Sequence, residues 1–191
     1  MARAKCLVMV VGPSGAGKDT LINLAIAAMP NQPRLLLAQR AVTRPPGGAE
    51  NHESLTEAEF FEAERHGAFV LSWRAHGLSY GVRPAELEGA TDHPQVVIAS
   101  VSRTVINEGR TLMPNSRVVL ITAPRQLLEQ RLSARGREAA LESRFERQDL
   151  DALVRETADL VIENTGTADQ GAAQLRDFLS ALLAEFPAMA T

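Results

Sequence analysis

Residues 6–29 read CLVMVVGPSGAGKDTLINLAIAAM: an apolar run of strand length, a glycine-rich turn and a helical pattern, in that order. Gly12, Pro13, Ser14, Gly15, Ala16, Gly17 and Lys18 satisfy the spacing G-x-x-x-x-G-K. A position between a strand and a helix is the context in which that spacing builds a phosphate loop. Its glycines let the backbone wrap closely round an anion, several N–H groups converge on one phosphate, and the helix dipole adds to them. Lys18 then reaches the β- and γ-phosphates. Binding of a nucleoside triphosphate is the first expectation, ahead of a plain glycine-rich turn between strand and helix.

The same alternation continues along the chain. Strand-length apolar runs recur at CLVMVV, RLLLAQ, QVVIAS, RVVLIT and DLVIEN, without helical spacing, as strands covered on both faces require. Between them lie the helical patterns KDTLINLAIAAM, PRQLLEQRLSARG, AALESRFERQDLDALVRET and DQGAAQLRDFLSALLAEF. Strand and helix in turn predict an α/β domain with a five-stranded, mainly parallel sheet and right-handed crossovers. At 191 residues and 45% apolar composition, one such domain has a sizeable core. Residues 41–93 break the pattern, being loop-rich with a short helix and short strands of their own. An insert that long in a compact domain is usually functional, so we expect a single domain with core segments 5–40 and 94–184 and a substrate-binding insert between them.

A net charge of −3 and a pI near 5.8 give no composition-level sign of a nucleic-acid or membrane-surface partner. The lone cysteine, Cys6, cannot form an internal disulfide and fits a reducing compartment. The apolar run around it is ended by Gly12 and Pro13 too soon for a signal peptide or a membrane span, so the expectation is a cytoplasmic protein. Nothing in the sequence speaks to oligomeric state.

One letter of the loop is unusual. Loops of this kind follow their lysine with a hydroxyl residue that holds Mg²⁺, whereas here Asp19 comes next and Thr20 one step later. Mg²⁺ takes hard oxygen ligands, so Asp19 reads as a metal ligand or as the anchor of a metal-bound water. The alternative is a carboxylate that favours the first helical turn through the dipole. The run QVVIASVSR, the candidate second strand of the site, ends without the acidic residue that often holds the metal there, which favours the metal reading.

GPSGAGKDT, VTRPP, GAENH, YGV and RLSARGRE together resemble the guanylate kinase group of nucleoside monophosphate kinases. Within it they are most similar to the ribose 1,5-bisphosphate phosphokinases of bacterial phosphonate breakdown, and the likeness runs from Leu7 to Phe178. The resemblance implies a P-loop kinase fold with a helical lid over about 133–148, ATP with Mg²⁺ as donor, and a small sugar bisphosphate as acceptor. In guanylate kinases an arginine of the TR step holds the acceptor phosphate, tyrosines follow the asparagine step, and a later carboxylate reads guanine. This chain keeps Arg44 and Tyr80, but HESLT after Asn51 carries no tyrosine and Leu71 stands at the carboxylate position. Leucine cannot accept hydrogen bonds from guanine, so the phosphate clamp remains while the base reader is gone. As the resemblance implies, ribose 1,5-bisphosphate would be phosphorylated at its 1-phosphate to 5-phosphoribosyl 1-diphosphate. An already ionised phosphate needs no general base, and catalysis reduces to alignment and charge neutralisation.

Other residues carry two readings each. Arg40 and Arg44 offer planar forks to phosphate, or are surface arginines near a turn. Asn51 and His52 suit hydrogen bonds to sugar or phosphate, or loop capping; His76 is a site edge or a hairpin turn; Trp73 is a packing residue. Ser102 and Arg103 follow a strand at its carboxyl end, where open α/β sheets bind ligands and Arg103 can reach an acceptor phosphate, though it suits a solvated helix start nearly as well. Arg131, Arg135 and Arg144 are expected on the transferring phosphoryl, with Arg137 and Arg147 as surface residues. Asn164 ends the last strand near the expected adenine site, or serves the turn there. Two other functions compete: a guanylate kinase with an unusual base site, and a non-catalytic interaction module. Leu71 argues against the first, and the retained Lys18 and lid arginines against the second.

Overall fold

The computed structural model describes residues 6–45, 52–88, 96–133 and 148–186. Five strands, β1 (Cys6–Val11), β2 (Leu35–Leu37), β7 (Val96–Ser100), β8 (Arg117–Thr122) and β9 (Leu160–Glu163), form one parallel sheet in the order β2-β7-β1-β8-β9. They are the five apolar runs expected from the sequence. Each residue of β1 is buried, and the strand's two faces feed two separate cores. Leu7, Met9 and Val11 pack with Val97, Ala99 and Leu120, while Cys6, Val8 and Val10 pack with Leu21, Ile22, Leu175 and Leu179 of helices α1 (Lys18–Ala27) and α6 (Ala168–Glu185). Two covered faces are why the run shows no polar alternation. Burial also pushes the Cys6 thiol up to about 11, which leaves it protonated and inert.

Between β2 and β7 the chain builds a second sheet. Its strands are β3 (Arg40–Val42), β4 (His52–Ser54), β5 (Leu71–Ala75) and β6 (Leu78–Val82), in the order β4-β3-β6-β5. Helix α2 (Glu57–Arg65) starts on a reciprocal cap: Thr56 Oγ1 accepts from the Glu59 N–H at 3.2 Å, and Glu59 Oε2 accepts from the Thr56 N–H at 2.8 Å. β5 and β6 join through His76 and Gly77, both at positive φ (53° and 71°), the two-residue turn that matches strand twist. His76 is therefore a hairpin turn residue. Val42, Leu71, Trp73, Tyr80 and Val82 of this sheet complete the core on the Leu7 face of the large one. The second sheet starts at Arg40, so that residue belongs to the insert's sheet.

Helix α3 (Ile106–Leu112) has seven residues, too few for a periodic signal, and packs close to β1: a Cβ on Gly109 would lie 2.3 Å from Met9 Sδ. α4 (Arg125–Ser133) follows β8, and α5 (Gln148–Thr157) precedes β9. No helix among the described residues is long and apolar enough to cross a membrane.

Candidate active site

The loop Gly12–Lys18 leaves β1 at the carboxyl edge of the parallel sheet and opens α1. Two glycines are dictated by their surroundings. At Gly12, φ is +143° and a Cβ would lie 1.9 Å from the Ile121 carbonyl oxygen of β8; at Gly17, φ is +90° and a Cβ would lie 2.6 Å from Asn164 Nδ2. Asn164, 5% exposed, donates from Nδ2 to the Ala16 carbonyl at 2.9 Å, and its Oδ1 has no hydrogen-bond partner among the described residues. Arg131 on α4 donates to the carbonyls of Asn164 (3.0 Å) and Gly15 (3.5 Å). The loop is thus fastened by the end of β9 on one side and by α4 on the other.

Lys18 folds back on the loop, its ammonium donating to the carbonyls of Gly12 (2.9 Å) and Pro13 (3.1 Å). Its pKa is lowered to about 8, chiefly by burial, with Asp19 opposing the fall, Arg40 and Arg103 adding to it, and Asp151 opposing it again. Lys18 thus lies in the field of two other cations and two carboxylates. Asp19 Oδ1 accepts from Arg40 Nη2 at 3.1 Å. Arg40 Nη1 also lies at hydrogen-bond limits from Ser100 Oγ (3.4 Å) and the Ser100 carbonyl (3.5 Å). Arg103 is 9% exposed and donates from Nη1 to Asp151 Oδ1 of α5. Thr20 is exposed on α1, and Ser14 is partly buried in the loop.

On the other sheet, Arg44 lies two residues past β3 and is partly buried. His52 is the β4 partner of Arg40 in the strand ladder. Tyr80 stacks on Trp73, centroids 5.4 Å apart and rings 2° from parallel, both in the core. Leu71 is 3% exposed, also in that core, so the position where a base-reading carboxylate would stand is sealed in apolar surroundings. Ser102 spends its hydroxyl locally, accepting from the Thr104 N–H at 3.3 Å to cap the short 3₁₀ turn Arg103–Val105. Asn51, Arg135 and Arg144, with Arg137 and Arg147, lie outside the described residues.

The structure therefore gathers Lys18, Asp19, Arg40 and Arg103 round the loop, with Asn164 and Arg131 behind it. Asp151 was missed in the sequence. Its signal was an acidic residue one helical turn before the buried Val154, on the apolar face of QDLDALVRET. Ser100 was missed too, a strand-end hydroxyl with no pattern to mark it.

The chain is 47% identical to the ribose 1,5-bisphosphate phosphokinase PhnN of Methylobacterium radiotolerans over 174 residues, covering 89% of this chain and 94% of the relative. It belongs to the ribose 1,5-bisphosphate phosphokinase family. The family member of Acidiphilium cryptum is 40% identical over 185 residues, covering 96% and 95%. Among solved structures, guanylate kinase from Anaplasma phagocytophilum superposes with a TM-score of 0.67 at 16% identity, over 95% of this chain and 88% of that one. That likeness shows the guanylate-kinase-like fold, while the family likeness is to the sugar bisphosphate enzymes. No protein-family model matches the chain. As a member of this phosphokinase family, the chain is a kinase, and use of a nucleotide donor follows from that membership.

Proposed function

We propose that the chain transfers the γ-phosphoryl group of ATP to the 1-phosphate of ribose 1,5-bisphosphate, giving 5-phosphoribosyl 1-diphosphate and ADP. The observation that carries this reading is a sealed base position beside a retained phosphate arginine: Leu71 is buried in the core, and Arg44, two residues past β3, is only partly buried, while the retained Tyr80 packs on Trp73 in the same core. A purine placed there would leave its N–H groups unpaired, at a cost of about 1–3 kcal/mol each. A sugar phosphate brings no base and suffers no such loss. Family membership supports the same acceptor.

The residues present fit ATP and Mg²⁺. Gly12 and Gly17 hold conformations and approaches that only glycine permits, which lets the loop backbone wrap closely round an anion, and the Lys18 ammonium rests on loop carbonyls that a phosphate can replace. Asp19 offers a carboxylate beside Lys18, the hard oxygen that Mg²⁺ takes. Bound there, Mg²⁺ would neutralise charge on the donor phosphates. Lys18 holds the donor, Arg40, Arg44 and Arg103 hold acceptor phosphates, His52 contacts the sugar end, and Arg131 steadies the loop. Arg135 and Arg144 complete the charge neutralisation of the transferring group. The insert is the acceptor-binding part. The test is ADP release with ATP and Mg²⁺ in the presence of ribose 1,5-bisphosphate, ribose 5-phosphate or GMP, with products identified by mass. Efficient turnover of GMP and none of the bisphosphate would replace this reading with a guanylate kinase.

A further inference from the structure

The carboxyl end of β7 carries no acidic residue, yet a carboxylate stands beside it. α5 delivers it. Asp151 lies one helical turn before Val154, which is 5% exposed and packed in the core, whereas Leu153 on the opposite face is 59% exposed. Helical periodicity therefore points Asp151 inward, towards Arg103. Arg103 is fixed from its own side by the strand end and the short 3₁₀ turn that Ser102 caps. A guanidinium only 9% exposed needs a countercharge, and Asp151 supplies it through a direct ion pair. Val101 donates its N–H to the Val10 carbonyl at 3.0 Å, so the end of β7 that leads to Arg103 lies beside the end of β1 that opens the phosphate loop, and the pair stands there and not at a remote surface.

We propose that Asp151 is a positioning residue for phosphoryl transfer: it holds the Arg103 guanidinium at the mouth of the phosphate loop, oriented before an acceptor phosphate arrives. The proposal rests on the reading of the chain as a kinase with a phosphate acceptor. An arginine held in place loses less side-chain freedom when it binds a phosphate, so the gain appears in acceptor affinity. A merely structural ion pair would affect folding stability and leave the acceptor KM alone.

The experiment measures kcat and KM for the acceptor, ATP affinity by calorimetry and melting temperature. It compares wild type with Asp151→Asn, Asp151→Glu, Arg103→Ala and the double variant Arg103→Ala/Asp151→Ala. Asp151→Asn is expected to raise the acceptor KM at least tenfold with ATP affinity within threefold, and Asp151→Glu to recover most of the loss. Because Asp151 acts through Arg103, the double variant should show the same KM as Arg103→Ala alone. It also removes the buried charge together with its partner, so it remains informative if Asp151→Asn fails to fold. An acceptor KM within twofold of wild type in Asp151→Asn, or a double variant whose KM rises well beyond that of Arg103→Ala, would overturn the proposal. The coupling is read on whichever phosphate acceptor the wild type turns over. Wild-type use of GMP in place of the bisphosphate would refute the proposed substrate without touching the Asp151 result.

Discussion

The proposed donor side and the proposed acceptor side of the site are held together by different chemistry. Around the phosphate loop the fastenings are hydrogen bonds to backbone carbonyls: Asn164 to Ala16, Arg131 to Gly15 and Asn164, Lys18 to Gly12 and Pro13. Towards the acceptor they are ion pairs between side chains: Asp19 with Arg40, Asp151 with Arg103, and Glu53 with Arg83 through two contacts of 2.7 Å that hold the Glu53 carboxyl below its usual range. A loop whose carbonyls are clamped by side chains from β9, α4 and its own lysine is held in one shape. Arginines held by carboxylates keep a cluster of positive charge ready without leaving it unbalanced, and a phosphate acceptor then competes for forks already aimed. On this proposal the donor side is built for a fixed shape, and the acceptor side for exchange of ionic partners.

Lys18 offers the largest test, because it belongs to the donor side yet feels the charges of both. Lys18→Met should lower turnover by about a thousandfold, the scale for removing a charge-stabilising donor from a transition state, while the melting temperature rises. The rise follows from the lowered pKa. With a folded value near 8 against an ordinary 10.5, the unfolded chain binds the proton more tightly, so the lysine disfavours the fold at neutral pH and stops doing so as pH climbs through that window. Lost turnover with a lower melting temperature would contradict the account. Next, Gly12→Ala forces a Cβ against the Ile121 carbonyl and should cost about 3 kcal/mol by denaturant titration, within the range for a severe backbone conflict. An effect under 1 kcal/mol would mean that the loop yields more easily than its clamps suggest.

Asp19→Asn should raise the half-saturating Mg²⁺ concentration about 10–100-fold, the scale for disturbing a metal's ligand environment, while the fold stays intact. Unchanged Mg²⁺ dependence would confine Asp19 to pairing with Arg40. Asn164→Ala removes the Ala16 clamp and should cost about 1–2 kcal/mol, with ATP affinity falling more than acceptor affinity; equal losses on both would erase the division between the two sides. The smallest effect is a fraction of a proton. ATP binding near pH 8 should take up part of a proton as the phosphates restore the lysine's charge, read by calorimetry in two buffers of different ionisation enthalpy. Proton release would contradict the assignment.

The same division decides what the sequence could reveal. The loop, its strand and its helix are contiguous, and all five strands of the large sheet were legible as apolar runs: β1 and β7 are buried throughout, and the edge strands β2 and β9 keep the apolar run although part of each is exposed. Leu71 could be read as a lost base contact because the resemblance to guanylate kinases sets the position after Phe69 and Val70 against their base-reading carboxylate. The ion pairs were not legible in that way. Arg40 and Asp19 are 21 positions apart, Arg83 and Glu53 30, and Arg103 and Asp151 48, and an acidic residue in a helix carries no sign of which strand end it will meet. Asp19 shows the limit: the sequence offered metal or helix dipole for it, and the structure adds an arginine partner from another sheet. Arg103 suited a solvated helix start nearly as well as a ligand contact in the sequence, whereas in the structure α5 covers it through Asp151.

The crossing from one sheet to the other is only two residues long. Ala38 donates its N–H to the Ile98 carbonyl at 2.8 Å, and the Gln39 N–H reaches Glu86 Oε2 at 2.7 Å, so both steps of the passage are tied down. Side chains alternate along a strand with a period of two, so one residue added at this crossing would turn Arg40 to the opposite face and bury it where Ala41 now packs. The far ends of the same sheet, such as the exposed His76–Gly77 tip, face no such constraint. Length variation among descendants of this chain is therefore expected to collect at the hairpin tip and to be purged from the crossing, and a protein engineer grafting a new acceptor sheet should keep residues 38 and 39 as the fixed splice.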